Sequence, residues 1–238
     1  MKLAIFDIDG TLADTNKVDH ECFLQAIREE FALELTDFDC SDYVNVTDSG
    51  IAQAIYRNAF ERLPSTAELV GVKKRFVALL RNSFNASPAS FRQVPGATAT
   101  LNRFLSDAQW SASFATGCWS EAAILKLNCA SLPWQQIPLT TSDDAIDRCS
   151  LLTKAIERAR HFYGVRQFER IVSIGDAAWD AHAASLLQIP FIGIGRSSQS
   201  QSEGKIFFVE NYDDTDGFFR LLESASVPQN IAENAHFA

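Results

Sequence analysis

The run from Lys2 to Asp14, KLAIFDIDGTLAD, constrains this chain more than any other stretch. Leu3 to Phe6 is a short apolar segment that ends in two carboxylates, Asp7 and Asp9, followed at once by Gly10 and Thr11. It reads as a buried strand delivering acids to its own carboxyl end, and in an open α/β sheet that end faces a ligand crevice. Period two points Asp7 and Asp9 to the same side of the strand unless the turn at Gly10 releases the second. Two carboxylates about 4 Å apart at an effective dielectric of about 20 repel by about 4 kcal/mol, so one takes a proton or both see a cation. A nucleophile beside an acid/base, held on a metal, meets that condition.

The rest of the composition narrows the kind of molecule involved. At 238 residues, 47% of them hydrophobic, the chain can fill a real core as one large domain or two smaller ones. With 30 acids against 21 bases its formal net charge is -9, which disfavours a sequence-independent grip on a nucleic acid but leaves room for a small anionic substrate in a local basic pocket. Cys22, Cys40, Cys118, Cys129 and Cys149 form no CxxC pair, so neither a zinc site nor a disulfide framework is expected. No apolar run approaches the roughly 18 residues of a membrane span, and the first strand begins at Lys2, which leaves no room for a signal peptide. The expectation is a soluble cytoplasmic protein with no membrane partner.

After Asp14 the period changes. Phe23, Ile27 and Phe31 recur four apart, as do Ile51, Ile55, Ala59 and Leu63, and Leu69, Val72, Phe76 and Leu80 mix threes and fours, so three amphipathic helices are predicted in succession. Pro64 breaks the second, and Ser65 with Glu68 reads as a capping box for the third. The loop YVNVTDSG, Tyr43 to Gly50, serves equally as a helix-starting turn or a substrate contact. Lys73, Lys74 and Arg75 read as a solvated face, and His20 as a surface residue.

Strands return near Phe91. A helix carrying Leu101, Phe104 and Leu105 precedes a strand, Trp110 to Ala115, that ends in Thr116-Gly117. Ser120 can cap the next helix, with Ala123, Ile124 and Leu127 inward, and Ile137 to Leu139 is a candidate short strand. An acidic loop, Asp143, Asp144 and Asp147, leads through Arg148 into a further helix. Arg170 to Gly175 is another apolar strand, ending in Asp176 with Asp180 four residues on, about one helical turn away. Pro190 to Gly195 and Lys205 to Val209 complete the sheet, separated by a polar loop from Ser197 to Ser202, and a helix over Phe218 to Leu222 ends it.

DIDGTLAD, residues 7 to 14, resembles the first motif of the haloacid dehalogenase superfamily, in the branch of Mg-dependent phosphatases with a second Asp two residues after the first. Thr116-Gly117 resembles its second motif and GDAAWD, from Gly175 to Asp180, its fourth, so the resemblance covers nearly the whole chain in order. It implies a doubly wound parallel (Rossmann-like) α/β core, residues 1–14 and 91–238, with an all-helical cap domain, 15–90, inserted after the first strand. It also implies an aspartyl phosphate on Asp7, acid/base work by Asp9, phosphate binding by Thr116 and Gly117, and Mg2+ held by Asp7, Asp9, Asp176 and Asp180. The third motif is usually a Lys; here Arg148 and Lys154 are the candidates, and Arg148 is favoured because it stands where the chain enters the helix. The implied activity is hydrolysis of a small phosphorylated metabolite, of the phosphoglycolate phosphatase type. A phosphomutase uses the same acids and stays open; a non-catalytic binding protein on this fold is disfavoured because all four acids are present.

Overall fold

Leu3 to Phe6 is apolar at every position, the pattern of a strand covered on both faces. In the computed structural model, which describes residues 1–195 and 206–229, it is β1 (Lys2–Phe6). The six described strands form one parallel sheet in the order β3-β2-β1-β4-β5-β6, with β2 Trp110–Ala115, β3 Leu139–Thr140, β4 Ile171–Gly175, β5 Phe191–Ile194 and β6 Phe207–Val209. Ala4, Phe6 and Ile8 join a cluster with Leu101 and Phe104 of α4 (Ala97–Ser106) and Phe218 of α8 (Thr215–Ser224). Leu3 and Ile5 face the other way, onto Leu152, Ala155 and Ala159 of α6 (Arg148–Tyr163). The sheet is therefore doubly wound, and β1 is bonded to β2 on one side and β4 on the other, which makes its carboxyl end a topological switch point.

Three helices, α1 (Asn16–Phe31), α2 (Asp48–Phe60) and α3 (Thr66–Ala86), are inserted between β1 and α4. Thr47 caps α2 by accepting from the Gly50 N–H at 3.0 Å, and the Ser65/Glu68 capping box of α3 is complete. Among the described residues no helix is long and apolar enough to cross a membrane.

Several local expectations need correction. The second helix ends at Phe60, short of Pro64, with Glu61 in a left-handed conformation. Leu105 is exposed, and the short strand lies at Leu139–Thr140, not Ile137 to Leu139. Trp119, not Ser120, occupies the N-cap of α5 (Ser120–Cys129), and Ile124 is only half-buried. Lys74 is exposed as expected, but Lys73 is only partly solvated: its ammonium pairs with Asp143 and lies 5.4 Å from the Trp119 ring centroid. The polar loop from Ser197 to Ser202, and Lys205 at the start of the last strand, lie outside the described residues.

Trp119 joins the insertion to the sheet. It is 1% exposed, its ring centroid lies 5.6 Å from that of Phe23 and 6.0 Å from that of Phe76, and its indole N–H donates to Ser49 Oγ at 2.8 Å. Trp119→Ala should therefore cost about 3–5 kcal/mol in urea-induced unfolding. A loss below about 1 kcal/mol would show that the two parts do not depend on this residue.

Candidate active site

The ladder between β1 and β4 continues one residue past the strand, since the Asp7 N–H donates to the Ile174 carbonyl at 2.9 Å. Asp7 is thus held in strand register and keeps the face of Leu3 and Ile5, the face on which α6 begins with Arg148. The Arg148 guanidinium lies 3.4 Å from Asp7 Oδ1 and 3.1 Å from Asp180 Oδ1, and its Nε donates to the Val46 carbonyl at 2.6 Å. Asp176 follows β4, and α7 (Ala178–Leu186) carries Asp180 in its first turn. Asp7, Asp176 and Asp180 can each direct one carboxylate oxygen to a common point, the three lying within 4.8 Å of one another.

Gly10 explains why Asp9 parts from Asp7. Its φ is +71°, and a Cβ there would stand 1.9 Å from Asp176 Oδ2. The chain turns there, and the two carboxylates pair with different side chains, Asp7 with Arg148 and Asp9 with Lys126. Asp9 instead accepts from Thr15 Oγ1 at 2.5 Å and from the Lys126 ammonium at 2.7 and 2.6 Å on its two oxygens. Lys126 is fully buried and also pairs with Asp19 of α1. The same loop braces the other acid: Asn16 Nδ2 donates to Asp176 Oδ2 at 2.8 Å and Thr11 Oγ1 to Oδ1 at 3.5 Å.

Thr116 and Gly117 follow β2 directly. Thr116 is buried, and its Oγ1 accepts from the Cys118 N–H at 3.2 Å, which shapes a tight turn. A Cβ on Gly117 would lie 2.6 Å from the Arg148 guanidinium, so glycine here gives that side chain room in its present position. The inserted segment closes on this turn from above. The Asp48 N–H donates to the Gly117 carbonyl at 2.8 Å, the Trp119 N–H donates to Asp48 Oδ2 at 2.8 Å, and Ser49 Oγ donates to the Ser142 carbonyl at 3.0 Å.

Between insertion and sheet lies a cavity of about 780 Å³ bordered by Asp7, Asp9, Thr116, Gly117, Arg148 and Asp176, and by Tyr43, Val46, Thr47 and Asp48 of the YVNVTDSG loop. That loop is both a helix-starting turn and a wall of the cavity. His20 also borders it, with its ring 2.8 Å from Asp37. Lys154 is exposed and donates to the Asp144 carbonyl, away from the acids. Sequence reasoning missed Lys126, Asp19, Thr15 and Asn16. The signal for Lys126 was its place on the apolar face of α5, beside Ala122, Ala123 and Leu127.

A doubly wound parallel sheet with acids after its two central strands and a helical insertion closed over them is the architecture of a capped α/β protein with its acids at the switch point. The chain belongs to the haloacid dehalogenase-like hydrolases, whose family model matches residues 4–194. Its fold is similar to that of a hydrolase from Pseudomonas syringae (TM-score 0.69, 18% identity, 95% of this chain and 100% of that one). It is also similar to CbbY from Rhodobacter sphaeroides, solved with phosphate (TM-score 0.61, 18% identity, 88% and 94% covered). A third likeness is to a Haemophilus somnus protein described as a predicted phosphoglycolate phosphatase (TM-score 0.59, 14% identity, 92% and 98% covered). A search of curated proteins gives no significant match.

The acid cluster is electrostatically costly as it stands. Burial and the neighbouring Asp180 push Asp176 up to about 7, and burial, with Asp180 adding to it, raises Asp7 well above its ordinary value even against Arg148. Burial raises Asp180 too, with Arg148 opposing. Oδ2 of Asp180 is buried with no hydrogen-bond partner. An all-oxygen set of three crowded carboxylates with one orphaned oxygen fits a hard divalent cation such as Mg2+ better than Zn2+.

The pH dependence follows from these directions. Between the ordinary value of 3.8 and about 7 the folded protein holds a proton on Asp176 that the unfolded chain has released, so folding is favoured at the acid end of that window. In chelator, thermal stability should therefore fall as pH rises from about 4 to about 7, and Mg2+ should protect most at the upper end, where it no longer competes with protons. Stability that rises across the window without metal would contradict the cluster's electrostatics.

Proposed function

We propose that this protein is a Mg2+-dependent phosphatase that hydrolyses a small phosphorylated metabolite, of the phosphoglycolate or sugar phosphate kind, through a phosphoryl group carried on Asp7. The observation that supports it most is the division of charge after β1. Asp7 sits with Asp176 and Asp180 against Arg148, Asp9 sits apart against Lys126, and both acids border one cavity. A crowded nucleophile and a separately oriented acid/base are what two-step phosphoryl transfer needs. That a protein of similar fold was solved with phosphate is consistent with it.

In this reading Asp7 attacks phosphorus, forming one P–O bond as the bond to the leaving oxygen breaks, and Asp9 gives that oxygen its proton. Asp9 then takes a proton from water as the water attacks phosphorus and Asp7 is released. Arg148 acts as the third-motif cation: its fork holds Asp7 and Asp180 together and offsets charge as it builds. The turn at Thr116 and Gly117 offers neutral donors to the phosphate oxygens. Asp7, Asp176, Asp180 and the Asp9 backbone carbonyl would hold Mg2+, which supplies charge neutralisation for the phosphate dianion.

A panel of phosphorylated metabolites in Mg2+, scored for free phosphate, tests the reading; isomerised sugar phosphate without phosphate release would replace it with a mutase. Asp7→Asn should abolish phosphate release while the protein still unfolds cooperatively, and activity within about tenfold of wild type would remove Asp7 as nucleophile. Arg148→Ala should lower kcat by about 10² or more, the scale of losing one preorganised electrostatic contact, while Lys154→Ala changes it little. The reverse ranking would move the third-motif role to Lys154.

A further inference from the structure

We propose that Lys126 is a positioning residue for the acid/base, and that Asp19 of α1 is the second arm of the same clamp; this rests on the reading of Asp9 as the acid/base. α5 turns Ala122, Ala123 and Leu127 into the core, and Lys126 falls on that face with no exposure. Packing alone does not call for a lysine there. A buried ion pair is commonly matched or bettered in stability by hydrophobic residues of similar volume, because desolvating charges costs several kcal/mol. The carboxylates it meets account for it.

An ammonium has three N–H donors. Two partner contacts go to the oxygens of Asp9, at 2.6 and 2.7 Å, and the third to Asp19, so the group is saturated and has none left for a phosphate. Asp9, Asp19 and Cys118 could in principle gather around an ion, their ligand atoms lying within 4.8 Å of one another, but the Lys126 ammonium already bonds both carboxylates. What Lys126 does is fix Asp9. With both oxygens gripped, and Oδ1 also accepting from Thr15, the carboxylate cannot turn about its own axis while it borders the cavity. Proton transfer depends on such placement, and an error near 1 Å costs about 10² in rate. Asp19 belongs to the inserted helix, so the clamp also ties that helix to the loop that carries the acid/base.

The test compares kcat/KM for two esters of similar size in Mg2+: 4-nitrophenyl phosphate, whose leaving group departs without a proton, and phenyl phosphate, whose leaving group needs one. In K126M the loss on phenyl phosphate should exceed the loss on 4-nitrophenyl phosphate by about tenfold or more, a part of the 10² to 10⁴ that acid/base help supplies. Adding K126M to D9N should cost nothing further. Equal losses on the two esters, or a K126M loss undiminished in the D9N background, would make Lys126 a purely structural residue. If K126M does not fold, K126M/D19N, which removes opposite charges together, carries the same comparison; failure of both to fold would overturn the proposal. Wild-type protein inert toward both esters would instead contradict the phosphatase reading itself.

Discussion

Carboxylates crowd the carboxyl end of this sheet, and their mutual repulsion governs how the surrounding elements are arranged. Asp7, Asp9, Asp19, Asp48 and Asp176 border one cavity and Asp180 adjoins Asp7 and Asp176, while among the described residues the cations Arg148 and Lys126 stand between them, Arg148 against Asp7 and Asp180 and Lys126 against Asp9 and Asp19. Each cation enters from a different face of the sheet, Arg148 at the start of α6 and Lys126 from the middle of α5. The turn at Gly10 sends one acid of the first motif to each. Burial by itself would drive a proton off Lys126, yet Asp19 and Asp9 outweigh it and hold the ammonium charged. Even so the balance is negative: burial with Asp19 nearby pushes Asp48 up to about 7, and Asp19 rises to about 6.

The inserted helices contribute to this balance as well as covering it. Val46 places a backbone carbonyl on Arg148, Asp48 bonds the turn after β2 through both its N–H and its carboxylate, and Asp19 shares Lys126 with Asp9. These contacts join three motif loops to α1 and to the start of α2. A guanidinium suits the Arg148 position because its fork can meet two carboxylates and a carbonyl at once, whereas an ammonium there would hold them less rigidly.

Much of this was legible in the sequence because it rests on local pattern. The strand ending in DIDGT, the capping box at Ser65 and Glu68, and Asp176 and Asp180 about one turn apart all depend on neighbours along the chain. The place of Arg148 at the start of a helix was legible too, since it follows the N-cap Asp147. Lys126 was not, because its role arises from α1, α5 and the loop after β1 meeting in space, and its partners Asp9 and Asp19 are 117 and 107 residues away. Lys73 was misread for the same reason. Its neighbours in sequence suggested solvent, but the buried Trp119 ring and the surface carboxylate of Asp143, both distant in sequence, meet it in space. The end of α2 before Pro64 was a matter of geometry that one proline does not report.

The central claim is that Asp7 takes the phosphoryl group while Asp9 only moves protons. Trapping the covalent species tests it most directly: Asp9→Asn protein is mixed with 4-nitrophenyl phosphate and Mg2+, quenched in acid within the first turnover, and mapped by peptide mass spectrometry. The account predicts a phosphoryl group on the peptide containing Asp7, formed in step with the burst of nitrophenol and absent when Asp7 is also changed to Asn. A burst with no phosphoryl peptide, or a phosphoryl group mapped to any other residue, would contradict it.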